Sequence, residues 1–334
     1  MAESSDKARP TEDRGPAQTA RADYRPVGTS AKPTALGTFK RTVQEFQEDN
    51  ITDWAAALTY YGLLSLFPAV IAMVSVIGLF GDPATTTKNL TEIVTNLGPS
   101  SAADAVAGPI KSITSNRAGA GFAFVLGLAG ALWAASGYVG AFMRASQKIF
   151  ETPEGRPIWK LRPLQLLVTL VMVVLAAAVA LSLVLTGPVV AAVASPLGLN
   201  DTAVTVWDIA KWPVLALVVL LMISLLYYVS PNVKQRGFKW VAPGALVALV
   251  MWLVASVAFA FYVANFGSYN KTYGTLGGAV AFLVWLWITN VAILFGMEFN
   301  SERERSVELR EGVPGADREI QLEPRTEPKP QRTS

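Results

Sequence analysis

Charged residues all but vanish from six stretches of this chain and return between them. The stretches fall at about 54–80, 119–142, 164–186, 214–230, 244–266 and 276–299, and none contains Lys or Arg. Each is close to or above the roughly 20 apolar residues that cross about 30 Å of hydrocarbon. The pattern predicts an all-α, polytopic membrane helix bundle with six transmembrane helices over 54–300. Before it, Leu36, Phe39, Val43 and Phe46 recur at helical spacing, with Lys40, Arg41, Glu45 and Glu48 on the remaining surface. Residues 36–53 are therefore expected to form an amphipathic helix, lying at the membrane interface or packed on the loops. Two further short amphipathic helices are expected in the long connection 81–118, from Leu90/Ile93/Val94/Leu97 and Ala103/Val106/Ile110/Ile113. The apolar run 187–200 is too short and interrupted to cross, and reads as re-entrant or interfacial. Residues 1–35 hold too little apolar surface to fold and contain no apolar core of a signal peptide, so the first span is expected to be retained. Residues 301–334 read as a charged tail that begins as a helical extension over 301–310.

The returning charge is sorted by side. Alternate connections and the two ends carry 23 Lys and Arg, against 5 in the other three connections. Under the positive-inside rule both termini are expected in the cytoplasm, which requires an even number of spans. The chain is therefore expected to cross a membrane several times.

Composition narrows the chemistry. Charged residues make up 16% of the 334, and the chain has no Cys and no His, whereas soluble domains carry about 25% charged residues. Thiolate nucleophiles, imidazole acid–base catalysis and Cys/His zinc sites are excluded. No Walker A pattern is present, so nucleotide-driven work is not expected. No cofactor is expected.

Polarity kept inside an apolar span is costly, and there it marks function or fastening. In the first span, Tyr60, Tyr61 and Ser65 precede Pro68, which cannot donate to the carbonyl of Leu64. The combination resembles the broken helices of transporter sites, or is a static kink. Asn290 is the deepest strongly polar residue of the last span, placed either to fasten helices or to line a cavity. Glu298, two turns later, is the one acid attached to an apolar span. It reads as a helix-end anchor paired with Arg303 or a loop base, or as a gate or substrate-proton site. The connection after the fifth span is dense in amides, phenols and glycines. Asn265, Tyr269 and Tyr273 there either line a cavity mouth or anchor a tight turn. The bases Arg144, Lys148, Arg162, Lys234 and Arg236 follow from positive-inside sorting alone, and they also suit anionic lipid headgroups. Ala123, Gly127, Ala131 and Ala135 form a small-residue stripe for close packing, within one chain or in a homo-oligomer.

Two of these segments carry a resemblance. Ala55-Ala-Ala-Leu-Thr-Tyr-Tyr-Gly-Leu-Leu-Ser-Leu-Phe-Pro68 resembles the first-span signature of the YihY/virulence factor BrkB family. Tyr273-Gly-Thr-Leu-Gly-Gly-Ala through Phe295-Gly-Met-Glu-Phe-Asn300 resembles its closing signature. The similarity spans roughly 36–305. It implies an integral inner-membrane protein with six spans. Members of that family have carried a ribonuclease label, some are linked to serum resistance, and one to export of lipid A precursors. The ribonuclease label finds no support in these residues, since histidine is absent and no carboxylates cluster in the body to hold a catalytic metal.

The expected function is therefore a transporter or flippase-like handler of an amphipathic or anionic envelope lipid. Its partners would be membrane lipids and not nucleic acid, and no enzyme activity is expected. A non-transporting membrane scaffold is the alternative.

Overall fold

The computed structural model describes residues 35–80, 117–184, 201–265 and 275–328. Seven helices lie within them. They are α1 (Ala35–Glu48), α2 (Ile51–Phe80), α3 (Arg117–Ile149), α4 (Ile158–Val184), α5 (Asp201–Val229), α6 (Phe238–Asn265) and α7 (Thr275–Glu311). The short helices expected in 81–118, the run 187–200 and the hairpin holding Tyr269 and Tyr273 fall outside the described residues, apart from the start of α3.

Five helices are long and apolar enough to cross a membrane among the described residues: Val125–Ile149, Ile158–Val179, Ile209–Val229, Phe238–Asn265 and Gly277–Glu311. The helix holding the first expected span, α2, has 30 residues. The helices outrun the apolar stretches that predicted them. The chain is already helical at Asp201, well before 214, and α5 carries Pro213 inside it. Prolines also lie inside α4 (Pro163) and α6 (Pro243), near their starts. Hydropathy marks where lipid begins, whereas backbone hydrogen bonding continues beyond it. The 37 residues of α7 reach about 55 Å, well past the hydrocarbon thickness.

Helices α2 to α7 pack in chain order, each on the next, and α7 returns to contact α2 and α3. The six form a closed ring. Its outer wall is apolar and exposed, as at Val257 and Phe261, which are 71% and 70% exposed. That is the surface expected of a body solvated by lipid.

One crossing sets the spacing of the last two helices. A Cβ on Gly296 would stand 2.6 Å from Tyr227 Oη and from Ala248 Cβ, and one on Gly244 would overlap the carbonyl of Gly296. Small residues let these backbones touch. Asn300 then stitches the joint, accepting from Gly244 N–H at 2.9 Å and donating to Val241 O at 2.9 Å. The Tyr227 hydroxyl donates to Ile293 O.

One end of the ring is built from charge. There α1 packs on the extension of α7, through Thr38 to Ser306 at 2.8 Å, Arg41 Nε to Glu302 at 2.6 Å and edge contacts of Phe39 and Phe46 with Phe295. Of the two placements expected for this helix, packing is therefore described, while Leu36, Phe39 and Val43 stay exposed along one edge. Residues 312–328, expected as part of a tail, form a strap across the same end. Its backbone pairs with the connection after α5 (Lys234 N–H to Glu323 O and Arg325 N–H to Asn232 O, both 2.8 Å). Asn232 donates to Thr326 O at 2.7 Å and accepts from Thr326 N–H at 3.1 Å. The strap runs so close to Gly155 that a Cβ there would overlap the carbonyl of Thr326.

Candidate functional site

The ring lines a partly open cavity of about 630 Å³. All six helices contribute to its wall, with Ser65 from α2, Tyr138 from α3, Met172 from α4, Met222 from α5, Trp252 from α6 and Asn290 from α7 among the lining residues. Among the described residues, none that lines the cavity carries a charge. The wall is apolar, and its few polar groups are already committed. Ser65 Oγ donates to Gly62 O at 2.7 Å, Thr169 Oγ1 to Gln165 O at 2.7 Å, and Thr289 Oγ1 to Trp285 O at 2.9 Å. Trp252 Nε1 donates to Thr289 Oγ1 at 3.1 Å. Hydroxyls held this way bind and shape, and no base stands beside any of them to make a nucleophile.

Asn290 takes both parts that its position allowed. It lines the cavity and it fastens three helices. Tyr138 Oη donates to Asn290 Oδ1 at 2.8 Å, Asn290 Nδ2 donates to Thr59 Oγ1 at 3.1 Å, and Thr59 Oγ1 donates to Ala55 O at 2.8 Å. In a membrane such interhelical bonds contribute on average about 0.6 kcal/mol each.

The other expected residues spread out. Tyr60 is 59% exposed and packs edge-on against Tyr61. Tyr61 leans on Gly137, with Arg144 5.8 Å from its ring, and does not line the cavity. Pro68 lies inside α2, which is helical on both sides of it. Asn265 is exposed at the end of α6 and bonds Phe261 O. Tyr138, Trp252, Trp285 and Thr289 carry much of the cavity's polarity, and sequence reasoning missed them. The one phenol of this apolar span, following Ser136-Gly137, was the available signal for Tyr138.

Glu298 lies beyond the cavity, in a buried polar layer at the charged end. It is 1% exposed, and its Oε2 has no hydrogen-bond partner. The expected anchor to Arg303 is not made. Arg303 stacks 3.8 Å from the Trp240 ring and donates to Trp240 O, because an indole face and a free carbonyl offer it a closer site. The neighbouring acids are better served. Glu302 receives Arg41 and Arg305, Glu304 receives Arg236, and Glu308 accepts Gln321 N–H. Arg305 is the hub of the layer. It also reaches Glu45 at 2.7 Å and donates to the carbonyls of Ala316, Asp317 and Arg318 in the strap.

Three of the bases expected to meet lipid headgroups are held by carboxylates of the chain itself: Lys148 by Asp49, Lys234 by Glu323, and Arg236 by Glu304 and Glu311. Arg144 and Arg162 instead face aromatic rings, of Tyr61 and Trp133. Burial pushes the carboxyls of Asp49 and Glu151 above their ordinary range. For Asp49 the Lys148 ammonium opposes that push, and for Glu151 the Ile320 amide does. Among the described residues no group of three acids is placed to hold a metal ion.

Comparison with known proteins points to one family. A protein of Bacillus subtilis (strain 168) called ribonuclease-like, YfkH, is 32% identical over 74% of this chain and 88% of its own length. A UPF0761 membrane protein of Alteromonas mediterranea is 26% identical over 80% of this chain and 87% of its own. Another, of Aggregatibacter aphrophilus, is 25% identical over 76% and 87%. No solved structure matches at a significant level. The family model described as virulence factor BrkB matches residues 42–319, a range that takes in the ring, the charged end and the start of the strap, and the chain belongs to that family of membrane proteins.

Proposed function

We propose that this protein is a six-span transporter or flippase-like protein of the bacterial inner membrane, with both termini in the cytoplasm. It would take the apolar part of an amphipathic or anionic envelope lipid into its central cavity. The observation that carries the reading is the cavity itself. Its volume of about 630 Å³ falls in the range of small-molecule sites, about 300–1,000 Å³. Its uncharged wall suits a hydrocarbon chain better than a sugar or an ion. The sorting of Lys and Arg supports a cytoplasmic position for the charged end. Of the five bases expected to meet an anionic headgroup, Arg144 and Arg162 are the two not held by a carboxylate, each contributing about 1 kcal/mol near the surface. Neither the cavity nor the charged end offers a nucleotide cradle, so the movement would run on a gradient or downhill.

The test is lipid translocation in proteoliposomes that carry the purified chain and fluorescent anionic or zwitterionic lipids. Filling the cavity with Met222→Trp should slow translocation at least several-fold while the protein stays folded. No translocation by the folded native chain across a panel of lipids would sink the reading. The scaffold alternative draws support from the bonded chain Tyr138–Asn290–Thr59, which fastens helices without needing a substrate.

A further inference from the structure

The buried layer at the charged end contains one acid that its surroundings do not neutralise. Glu298 is 1% exposed and its Oε2 is unpartnered. The charged groups that act on it most come from every side: Asp49 between α1 and α2, Glu302 one turn along α7, Glu45 of α1, and Glu151 after α3. All four are acids. The bases of the layer are spent elsewhere, Arg41 on Glu302, Lys148 on Asp49, and Arg305 on Glu45 and Glu302. Arg303, the base next along the helix that sequence would pair with it, is stacked on Trp240.

A carboxylate in that position lacks what makes buried charge tolerable. Removing one ion from water costs several kcal/mol unless a counter-charge and hydrogen bonds repay it. A divalent metal is not the answer, since no three acids are grouped for one among the described residues. A proton is the smallest cation that cancels the charge, and it converts an acceptor into a group that can also donate. Ionisable groups kept inside membrane helices commonly serve this way.

We infer that Glu298 is a proton-binding site. Its Oε2 takes a proton from a hydronium ion of the cytoplasmic water when the charged end is closed. It returns the proton to water when that end opens and the carboxylate can be hydrated. An O–H bond forms and breaks, and no other reactant is consumed. The site would make closure of the charged end proton-linked, whether or not the cavity takes a lipid.

The test uses the full chain in nanodiscs. Infrared difference spectra of the wild type should show, at neutral pH, a carboxylic-acid C=O band that shifts when glutamate is labelled with carbon-13. The band should be lost in Glu298→Gln. Absence of any label-sensitive acid band in the wild type overturns the proposal without recourse to a variant, and so does a band unchanged in folded Glu298→Gln. Melting gives a second readout. The wild-type midpoint should fall relative to that of Glu298→Gln as the buffer is taken from mildly acidic to mildly alkaline, and parallel curves overturn the proposal. A rise of the wild-type midpoint in sodium over choline chloride, lost in Glu298→Gln, would assign the site to a monovalent metal ion and overturn the proton.

Discussion

The cavity and the charged end are built from opposite materials and held by opposite means. Around the cavity, helices are apolar on every side, and one short chain of bonds through Asn290 joins α2, α3 and α7. At the charged end, buried Arg and Glu interlock α1, α7 and the strap, and almost every donor of Arg305 is used. The first region can deform at small cost because little in it depends on direction. The second tolerates little, because each lost partner leaves another charge buried and uncompensated.

That contrast is open to direct test. Arg305→Ala should cause the largest damage, about 3–5 kcal/mol, by leaving Glu45 unpaired, Glu302 with Arg41 alone and three strap carbonyls without their donor. It would be read as lost monodisperse protein in detergent and as proteolysis of the strap. Gly296→Leu attacks the joint between α6 and α7, where overpacking costs about 1–3 kcal/mol or more. A melting midpoint near that of the wild type would show that the joint can open. Asn290→Ala should be milder, on the order of 1 kcal/mol, since it removes two interhelical bonds in a membrane. If its cost exceeded that of Arg305→Ala, the contrast between the two regions would fail.

A weaker effect should appear with pH. The carboxyls of Asp49 and Glu151 are raised on folding, so their protonated forms favour the folded end. That contribution is fully present below their ordinary values of 3.8 and 4.5 and is lost as pH rises through the raised folded values. Amide exchange of residues 312–328 should therefore quicken, after correction for the intrinsic rate, as mild acid gives way to neutral buffer. Glu151→Gln should flatten that dependence. Lys234→Ala, which breaks an exposed pair with Glu323, should change stability least, by about 0.2–1 kcal/mol.

Much of the fold could be read from the order of residues. Lysine and arginine mark where apolar stretches end, and lipid imposes a length, so the helices of the ring could be placed. Their rotation could not. A helix that is apolar all round gives no periodic signal for its inward face, which is why Tyr61 and Tyr60 looked as suitable as Tyr138. Asn290 is legible because a lone amide stands out against aliphatic neighbours. The lone position of Glu298 is also visible, but not its missing partner. Arg303 is five residues along and well placed for it in one dimension, while in three dimensions Trp240 claims the guanidinium. The strap is hidden because Pro, Gly and charge are also the composition of loose tails. Its order comes from Asn232, Gly155 and Arg305, which belong to other parts of the fold.

The strap also has a consequence for how the molecule is made. Residues 312–328 leave the ribosome after every helix of the ring, yet Arg305, Asn232 and Gly155 all wait for them. The helices of the ring are made one after another, but the end that locks them stays unfinished until the strap has followed. A chain stopped just after Glu311 would therefore insert and still present unsatisfied charge to the cell's proteases. Quality control could tell an intact copy from a broken one by whether the strap is in place.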